Sequence, residues 1–411
     1  MRVTGGVELS IYLDHAATTP MISEAIAAYT AALGIVGNPS SIHSQGQNTK
    51  RMLEEAREQV AASVSSDPIE VVFTSGGTES VNLAIKGLFW SRNEASADAA
   101  AGSRRRILVP RGEHHATIDT VEWLEHYEEA IIEWLPLDSL GRIRLDALAS
   151  AIDNHDDIAL LTFLLANNEV GTVQPLGAIV ELAAARGIPV HADAISAYGH
   201  LSIDFVSSGL AALSISAHKI GGPLGIGALI LARSATLVPL IHGGGQQRDV
   251  RSGTQDAPAA IAFGVAARHP MPELRSLRDR VIDGVRHVVP SAILRGDPAD
   301  RLDNNAHFTF PGCEGDSLLF LLDAAGVSVS TGSACRAGIP EPSHVLLAMG
   351  LSETEARGAL RITVGHTTSA ADVDVFLAAL PGAVQRAARA GYSVRDVRSA
   401  DQSQRAESPR A

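Results

Sequence analysis

The chain contains the segment Ser214-Ile-Ser-Ala-His-Lys-Ile-Gly-Gly-Pro-Leu-Gly-Ile-Gly-Ala-Leu-Ile-Leu231, in which one lysine, Lys219, lies among small, hydroxylated and apolar residues. Glycines follow the lysine at once, and Ile226–Leu231 is an apolar, strand-like run. Partial burial between tight turns would lower the pKa of the amine and make its neutral form a nucleophile toward carbonyl groups. A surface lysine in a glycine-rich loop would explain the same residues, so the rest of the chain has to distinguish the two.

Short apolar runs alternate with helical segments on both sides of this lysine. The predicted strands are Ile69–Phe73, Ile107–Val109, Ile131–Leu135, Ile158–Leu165, Pro189–Ala192, Leu213–Ile215 and Ile226–Leu231. The predicted helices among them are Glu79–Phe89, Thr117–His126, Leu145–Ile152 and Leu176–Arg186. This alternation predicts an α/β fold with a mainly parallel central sheet that helices cover on both faces.

The predicted secondary structure and the local composition divide the chain into four regions. Residues 1–20 are expected to pack with the small domain, and residues 21–265 form the large domain. Residues 266–393 form a smaller α+β domain, which the predicted helix Ala371–Arg389 closes. Residues 394–411 are polar and rich in Ser, Arg and Gln, which predicts a disordered tail.

Composition excludes several classes of protein. A length of 411 residues predicts about two or three domains. The formal net charge of -13, without a long basic run, argues against nucleic acid as a direct partner. The sequence shows no signal peptide and no apolar run long enough for a membrane span. Two cysteines are too few for a disulfide framework, so we expect a cytoplasmic protein.

Polar groups follow several of the predicted strands. Thr74-Ser-Gly-Gly-Thr78 opens a helix, where backbone N–H groups and the helix dipole would bind an anion, although a plain glycine turn has the same pattern. Asp193 ends a buried strand and needs a cationic partner there, unless it caps a helix or forms an ion pair. Asn168 also follows a buried strand, where a simple turn is the alternative.

Several histidines could stack on a ring, transfer protons or bind a metal ion. His114, after the strand Ile107–Val109, offers an aromatic face and a proton shuttle, as does its neighbour His115. His114, His115, His191 and His218 would be the ligands of a metal site. No HExxH or Cys/His spacing supports such a site, so no metal is predicted.

Two groups in the small domain also suggest chemistry. Cys335 lies in a loop of small residues beside Arg336, and exposure next to a cation favours a reactive thiol. Cys313 lacks these features and is interpreted as incidental. Arg361, in a strand-like run, would be costly to bury without an anion; a substrate carboxylate fits its guanidinium, and a structural salt bridge is the alternative.

The motifs, taken in order, resemble those of the cysteine desulfurases, which are pyridoxal 5'-phosphate (PLP) enzymes of aminotransferase class V with the PLP type I aminotransferase fold. The resemblance covers about residues 11 to 380. It rests on Tyr12-Leu-Asp-His-Ala-Ala-Thr-Thr-Pro20, Gly37-Asn-Pro-Ser-Ser41, Phe73-Thr-Ser-Gly-Gly-Thr-Glu79, Glu113-His114, Asn167-Asn-Glu169, Ser216-Ala-His-Lys219, Gly243-Gly-Gly-Gln246, Arg251-Ser-Gly-Thr254 and Ser330-Thr-Gly-Ser-Ala-Cys335.

The resemblance implies a set of catalytic, cofactor-binding and substrate-binding residues. Lys219 would hold PLP covalently and later move the Cα proton, Asp193 would pair with the pyridinium nitrogen, and His114 would stack on the ring. The other implied cofactor residues are Gly77, Thr78, Asn168, Ser196, Ser216, His218 and, from the second subunit of a homodimer, Thr254. Asn38, Asn168 and Arg361 would bind the substrate carboxylate.

The implied reaction converts L-cysteine to L-alanine. The thiolate of Cys335 would attack the substrate sulfur and become a persulfide, whose sulfur passes to an acceptor protein. The acceptor would be an iron–sulfur scaffold or a sulfurtransferase of tRNA thiolation or another biosynthesis. Selenocysteine lysis, C–S elimination or transamination on the same scaffold, and a non-catalytic sulfur carrier, are the alternatives.

Two positions depart from the family pattern. Asp193-Ala-Ile-Ser196 stands where the family usually has Asp-Ala-Val-Gln, whose glutamine bonds the phenolate oxygen of the cofactor. The shorter serine would lose that hydrogen bond or make it through water, at a cost of roughly 1.5–3 kcal/mol. Gln247 stands where a glutamate is common, which removes one charge.

Overall fold

The structure is a computed structural model and describes residues 3–4, 7–8, 10–94, 103–332 and 341–406. The β-strands within these ranges are β1 (Val3–Thr4), β2 (Val7–Glu8), β3 (Ile11–Tyr12), β4 (Val71–Thr74), β5 (Arg106–Pro110), β6 (Ile131–Leu135), β7 (Ile158–Leu164), β8 (Val190–Asp193), β9 (Ala212–Ser216), β10 (Gly227–Leu231), β11 (Ile293–Arg295), β12 (Asn305–Thr309), β13 (Val327–Ser328) and β14 (Ala359–Thr363). The α-helices are α1 (Ser23–Ala32), α2 (Ser44–Ser63), α3 (Gly77–Glu94), α4 (His115–Glu128), α5 (Leu145–Asn154), α6 (Leu176–Ala184), α7 (Phe205–Ser208), α8 (Ala257–Arg268), α9 (Arg275–Val288), α10 (Gly315–Asp323), α11 (His344–Ala348), α12 (Glu353–Ala356) and α13 (Ala370–Ala406).

The larger of two compact units, Ala16–Asn168 with Thr172–Pro272, contains a seven-stranded sheet. Its strand order is β4-β10-β9-β8-β7-β5-β6, and β10 is antiparallel to both neighbours while the other adjacent pairs are parallel. Every residue of β7 is buried. Successive side chains of a strand point to opposite faces, so both faces of the sheet are covered. The predicted mainly parallel α/β fold is confirmed.

Two elements of this unit differ from the sequence-based expectation. The predicted strand Ile69–Phe73 begins two residues later, as β4. The residues before it form a 3-10 helix, Pro68–Glu70, because Asp67 and Glu70 form a capping box there. Helix α8 was not predicted. Its sequence is apolar almost all round, so it has no amphipathic pattern, and in the structure it packs against α1 and α2. The expected domain boundary between residues 265 and 266 falls inside this helix, and both sides belong to the larger unit.

The smaller unit, Met1–His15 with Glu169–Gly171 and Glu273–Ala411, contains an antiparallel sheet of order β11-β12-β14 and the parallel pair β3–β13. Side chains alternate along β12 and β14. Phe308 and Leu360 face the apolar core of the unit, whereas His307 and Arg361 lie on the opposite face and are also buried. This second, buried polar face is unusual for a small sheet, and it carries Arg361, which is discussed below.

The last helix is longer than expected. Helix α13 continues to Ala406, whereas the sequence predicts its end at Arg389 and a disordered tail over residues 394–411. No glycine or proline interrupts residues 392–406, so nothing in that stretch breaks a helix once it has formed. No helix in the described part of the chain combines the length and the apolar character that crossing a membrane requires.

Candidate active site

The predicted functional groups of the larger unit gather at one edge of its sheet. Strands β4, β5, β7, β8 and β9 run in the same direction and therefore end at the same edge. The residues that follow those ends include Gly77, His114, Asn168, Ser196 and Lys219. Ligands of open α/β sheets bind outside the carboxyl ends of the strands.

Lys219 lies in a short 3-10 helix, Ala217–Lys219, directly after β9. Its side chain is half-buried. The Nζ atom donates hydrogen bonds to the backbone carbonyl oxygens of Ala16 and Ala17, the second at 2.9 Å. The amine is thus directed to a fixed place by backbone carbonyls of the N-terminal loop.

Asp193 ends β8 and is 2% exposed. Its Oδ1 atom accepts a hydrogen bond from the Ile195 N–H at 2.9 Å. Burial raises the pKa of the Asp193 carboxyl to about 6, and the Ile195 N–H and the charge of Lys219 only partly oppose that shift. A cationic ligand at this carboxyl would remove the cost of its ionisation.

A hydroxyl–imidazole row lies beneath Asp193 on the same face of the sheet. His191 Nδ1 is 2.8 Å from Thr162 Oγ1, and His191 Nε2 is 2.9 Å from Ser214 Oγ. Burial lowers the pKa of His191 to about 3, so the ring is neutral. Because both ring nitrogens are engaged by hydroxyls inside the sheet, His191 is a structural residue.

The N-terminus of α3 faces the end of β9. A Cβ atom on Gly77, the first residue of α3, would lie 2.2 Å from Ile195 Cδ1 and 3.6 Å from Ser216 Cβ, so a side chain there would displace Ile195. The Ser216 hydroxyl is buried and has no hydrogen-bond partner among the described residues. Thr78 follows Gly77 in the first turn. An unsatisfied hydroxyl beside a helix N-terminus is a place for an anion with several acceptor oxygens.

His218 closes the other side of this region. Its Nδ1 atom is 3.2 Å from Thr18 Oγ1, and its carbonyl oxygen accepts from the Thr19 N–H at 3.2 Å. Burial, assisted by the positive charge of Lys219, lowers the pKa of His218 to about 4. The ring is therefore neutral and adds no repulsion to the lysine at physiological pH.

His114 is the exposed N-cap of α4. Its Nδ1 atom accepts from the Ala116 N–H at 3.0 Å, so in the neutral ring the proton is on Nε2. The preceding residue, Glu113, is buried, and its Oε1 atom accepts from the Leu164 N–H at 3.0 Å. Burial raises the pKa of Glu113 well above its usual value, and the charge of Asp193 adds to the shift. The sequence alone assigns no role to Glu113, although it belongs to the motif Glu113-His114.

The remaining predicted cofactor residues lie in loops. Asn168 is half-buried in the turn after β7, next to Asn167, whose Nδ2 atom donates to the Gly112 carbonyl at 2.9 Å. Ser196 is half-buried in the turn that follows Asp193, and Thr254 is exposed before α8. Their functional roles stay predictions.

Two predicted substrate-binding residues, Asn38 and Arg361, do not follow strands of the seven-stranded sheet. Asn38 is exposed, and its Oδ1 atom accepts from the Ser40 N–H at 2.9 Å. Arg361 belongs to the smaller unit, is 5% exposed, and donates from Nη2 to Asp14 Oδ1 at 2.8 Å. The salt bridge that was the alternative interpretation is thus present, and carboxylate binding by Arg361 stays a prediction.

The two cysteines differ in what the structure shows. Cys335 lies outside the described residues. Cys313 is buried, and burial followed by the charge of Glu314 raises the pKa of its thiol, which makes it a poor nucleophile. Among the described residues, no group of three or more His, Cys, Asp or Glu side chains is placed to hold a metal ion.

The sheet and the groups at its carboxyl edge are those of the type I aminotransferase fold. Residues 11–376 match the profile of aminotransferase class V. The IscS-like cysteine desulfurase of Mycobacterium tuberculosis is 50% identical over 390 residues, which cover 93% of this chain and 98% of that protein. Cysteine desulfurase IscS of Methanosarcina thermophila is 38% identical over 385 residues, with 92% of each chain covered. The chain therefore belongs to aminotransferase class V and, within it, to the cysteine desulfurase family.

Solved structures agree with this assignment. A NifS-like protein from Rickettsia africae superposes with a TM-score of 0.80 at 28% identity, covering 92% of this chain and 99% of that one. SspA in complex with cysteine superposes with a TM-score of 0.75 at 34% identity, covering 86% and 98%. The predicted resemblance and the predicted fold are both confirmed.

Proposed function

We propose that the chain is a PLP-dependent cysteine desulfurase in which Lys219 carries the cofactor and Cys335 takes the sulfur of L-cysteine. Relatives up to 50% identical bear the name cysteine desulfurase, and one neighbour of known structure was solved with cysteine. The net reaction is L-cysteine plus the enzyme thiol giving L-alanine plus the enzyme persulfide.

The observation that carries the cofactor proposal is the Ser216 hydroxyl, which is buried beside the first turn of α3 and has no hydrogen-bond partner in the part of the chain that the structure describes. A phosphate group there would accept hydrogen bonds from that hydroxyl, from the backbone N–H groups of Gly77 and Thr78 and from the Thr78 side chain. The helix dipole favours the negative charge. His218 borders the same site.

Asp193 supports the same cofactor through its charge. Burial raises the pKa of this carboxyl to about 6, even though the Ile195 N–H and the charge of Lys219 oppose the shift. A protonated pyridine nitrogen is the cation that would keep the carboxylate ionised in this environment. When bound, PLP supplies an electron sink for the carbon that bears the substrate amino group.

Other residues of the proposed site would bind the cofactor or the substrate, orient them, or transfer protons. Lys219 would hold the cofactor and move the Cα proton, and the His114 ring would stack on the cofactor. Asn168 and Ser196 would face the ring oxygen of the cofactor, and in a homodimer the Thr254 of the second subunit would reach the phosphate. Asn38, Asn168 and Arg361 bind the substrate carboxylate.

The sulfur-transfer step belongs to Cys335. Its thiolate attacks the substrate sulfur, so an S–S bond forms as the C–S bond breaks, and the carbon side keeps the electron pair and is protonated to give L-alanine. The atoms and electrons balance without an external oxidant. The persulfide then passes its outer sulfur to an acceptor protein, either an iron–sulfur scaffold or a biosynthetic sulfurtransferase, in the cytoplasm.

The test is to incubate the purified protein with L-cysteine, quantify L-alanine, and locate the persulfide by mass spectrometry of peptides. We expect stoichiometric persulfide on Cys335, and catalytic alanine formation once a thiol reductant is added. The matched control is Cys313→Ala, which removes the other, buried thiol. Full sulfur release by Cys335→Ala would contradict the assignment of the persulfide.

A further inference from the structure

A cleft of about 520 Å³ opens at the edge of the seven-stranded sheet opposite to the one that carries Lys219. Strands β5, β8 and β9 begin at this edge, and β10, which runs the other way, ends there. The residues that line the cleft all belong to the larger unit and to the described part of the chain. Pockets for small organic molecules have volumes of roughly 300–1,000 Å³. The cleft is therefore large enough for such a ligand, and the function proposed above does not use it.

Two arginines provide the charge of the cleft. Arg92 lies in the last turn of α3, and Arg104 lies two residues before β5. Both residues are half-buried. None of the described residues that line the cleft is an aspartate or a glutamate. The cleft is thus a local concentration of positive charge in a chain whose formal net charge is -13.

The guanidinium group of Arg92 can donate further hydrogen bonds. Its Nε atom is buried and has no hydrogen-bond partner among the described residues. Burial, followed by the charge of Arg104, lowers the pKa of Arg92, so the two guanidinium groups are close enough to repel each other. Arginine nevertheless stays protonated in proteins. A bound anion would give Nε an acceptor and would reduce the repulsion between the two positive charges.

The backbone of Arg104 is fixed against α3 by the side-chain amide of Asn93. Nδ2 of this amide donates to the Arg104 carbonyl at 3.0 Å and to the Phe89 carbonyl at 2.8 Å, and Oδ1 accepts from the Arg104 N–H at 3.1 Å. Within the described residues, the one hydrogen bond of the Arg104 side chain is long, from Nη1 to the Asp156 carbonyl at 3.5 Å. The residue is therefore well placed, and most of its guanidinium N–H groups are available to a ligand.

The walls of the cleft are apolar and are held by backbone hydrogen bonds. The Ala211 N–H donates to the Val190 carbonyl at 2.9 Å, and the Ile188 N–H donates to the Ala183 carbonyl at 3.1 Å. The apolar residues that line the space are Leu88, Ile188, Pro189, Leu210, Ala211 and Ala235. A preformed apolar wall beside two guanidinium groups suits a ligand that has an apolar body and an anionic end.

We propose that this cleft binds a small organic phosphate: a phosphate monoester whose anionic group bonds to Arg92 and Arg104 and whose apolar body lies along the apolar wall. A phosphate monoester carries nearly two negative charges at neutral pH and has three strong acceptor oxygens, which match two guanidinium groups. A single carboxylate would match only one. The proposal does not rest on the desulfurase function, because the residues that line the cleft are not those of the candidate active site.

The test titrates the PLP-loaded protein with phenyl phosphate in a calorimeter. Loading with PLP fills the phosphate site proposed beside α3, so that phenyl phosphate reports on a second site. We expect one saturable site in the wild type, with an affinity that falls about 10- to 100-fold in Arg92→Met and in Arg104→Met, because each variant loses charge-assisted hydrogen bonds. Inorganic phosphate should bind more weakly than phenyl phosphate, because it lacks the apolar body. Added salt should weaken both.

The matched control is Arg186→Met. Arg186 is exposed, directly precedes the turn that lines the cleft, and donates to Asp153 Oδ1 at 3.2 Å. Its removal changes the net charge of the protein by the same amount, so the affinity for phenyl phosphate should stay close to that of the wild type. Arg92→Lys should have an intermediate affinity, since the charge is kept and the planar guanidinium is lost. Thermal unfolding without phenyl phosphate shows whether each variant is folded.

Three results would overturn the proposal. The first is the absence of saturable binding at millimolar phenyl phosphate. The second is an affinity that Arg92→Met and Arg104→Met leave unchanged, or that Arg186→Met lowers as much as they do. The third is tighter binding of succinate than of phenyl phosphate, which would make the ligand a dicarboxylate. A protein that takes up no PLP would overturn the proposed function alone, and the dependence of binding on the two arginines would still be measured.

Discussion

The side-chain amide of Gln247 pairs with both backbone groups of Phe73. Its Nε2 atom donates to the Phe73 carbonyl at 2.7 Å, and its Oε1 atom accepts from the Phe73 N–H at 2.7 Å. Phe73 belongs to β4, the strand at one end of the seven-stranded sheet. The amide therefore occupies the place of a neighbouring strand and covers an open edge. It also anchors a turn in which Gln247, Arg248 and Asp249 all have positive φ.

Replacing Gln247 with leucine should destabilise the fold. Both Phe73 backbone groups would lose their partner, and the expected loss in the free energy of unfolding is about 1–3 kcal/mol. Gln247→Glu should be milder, because the carboxylate can still accept from the Phe73 N–H and would face Arg57, which already donates to Oε1 at 3.3 Å. Denaturant unfolding measures both, with Gln255→Leu as the control. Equal stability of Gln247→Leu and wild type would contradict the bridging role.

Asp193→Asn should stabilise the cofactor-free protein at neutral pH. The pKa of the carboxyl rises from 3.8 to about 6 on folding, so between these values the folded state holds a proton that the unfolded state has lost. Stability therefore falls as the pH rises through this window, by about 3 kcal/mol in all. The asparagine removes this dependence, and the gain should vanish below pH 4. Thermal unfolding of the apo-protein across pH measures it.

The same substitution should have the opposite effect once PLP is added. The neutral amide gives no charge to a pyridinium nitrogen, so stabilisation by the cofactor should be smaller in Asp193→Asn than in wild type. The control is Asp204→Asn, which changes an exposed N-cap carboxyl. Hydrogen bonds from Ser207 lower the pKa of the Asp204 carboxyl, so the stability that its charged form contributes is lost as the pH falls. A cofactor-induced shift in Tm that is identical in Asp193→Asn and wild type would refute the pairing.

Lys219→Gln should abolish covalent attachment of the cofactor and lower alanine formation by roughly 10²–10⁴-fold or more, since in the proposed reaction the amine would also move a proton. Reduction with borohydride followed by mass spectrometry should label wild type on the peptide that contains Lys219. Lys86→Gln is the matched control, because Lys86 is also partly buried and lies 3.7 Å from the centroid of the Trp123 ring. Labelling of a different lysine would contradict the assignment.

Ser196→Gln should increase turnover. Serine would lose the hydrogen bond to the cofactor ring oxygen or make it through water, and the longer amide would restore it; one hydrogen bond to a charged oxygen is worth roughly 1.5–3 kcal/mol. A gain of up to about 10-fold in kcat, with a shift in the pH titration of the cofactor absorption, is expected. Ser196→Ala serves as the control. If glutamine and alanine change both quantities alike, the position does not tune the cofactor.

The sequence predicted those parts of the site that follow strand ends. Lys219, Asp193 and Gly77 follow the ends of β9, β8 and β4, which run in the same direction, so strand direction brings them to one edge of the sheet. Glu113 and Glu169 were not singled out from the sequence, because their burial and their hydrogen bonds involve partners distant along the chain. Glu169 meets Ser343, for example, and no spacing in the sequence shows such a contact.

The Ser216 hydroxyl, for which the described residues offer no partner, and the costly ionisation of the buried Asp193 carboxyl have a common consequence. Each makes the cofactor-free fold less stable than its packing would allow, and the same ligand satisfies both. Binding to the native state alone stabilises it in proportion to the logarithm of free ligand concentration. Proteases remove chains that open more often. The concentration of free cofactor in the cell should therefore affect the lifetime of this protein as well as its activity. A shortage of cofactor should lower the amount of the protein.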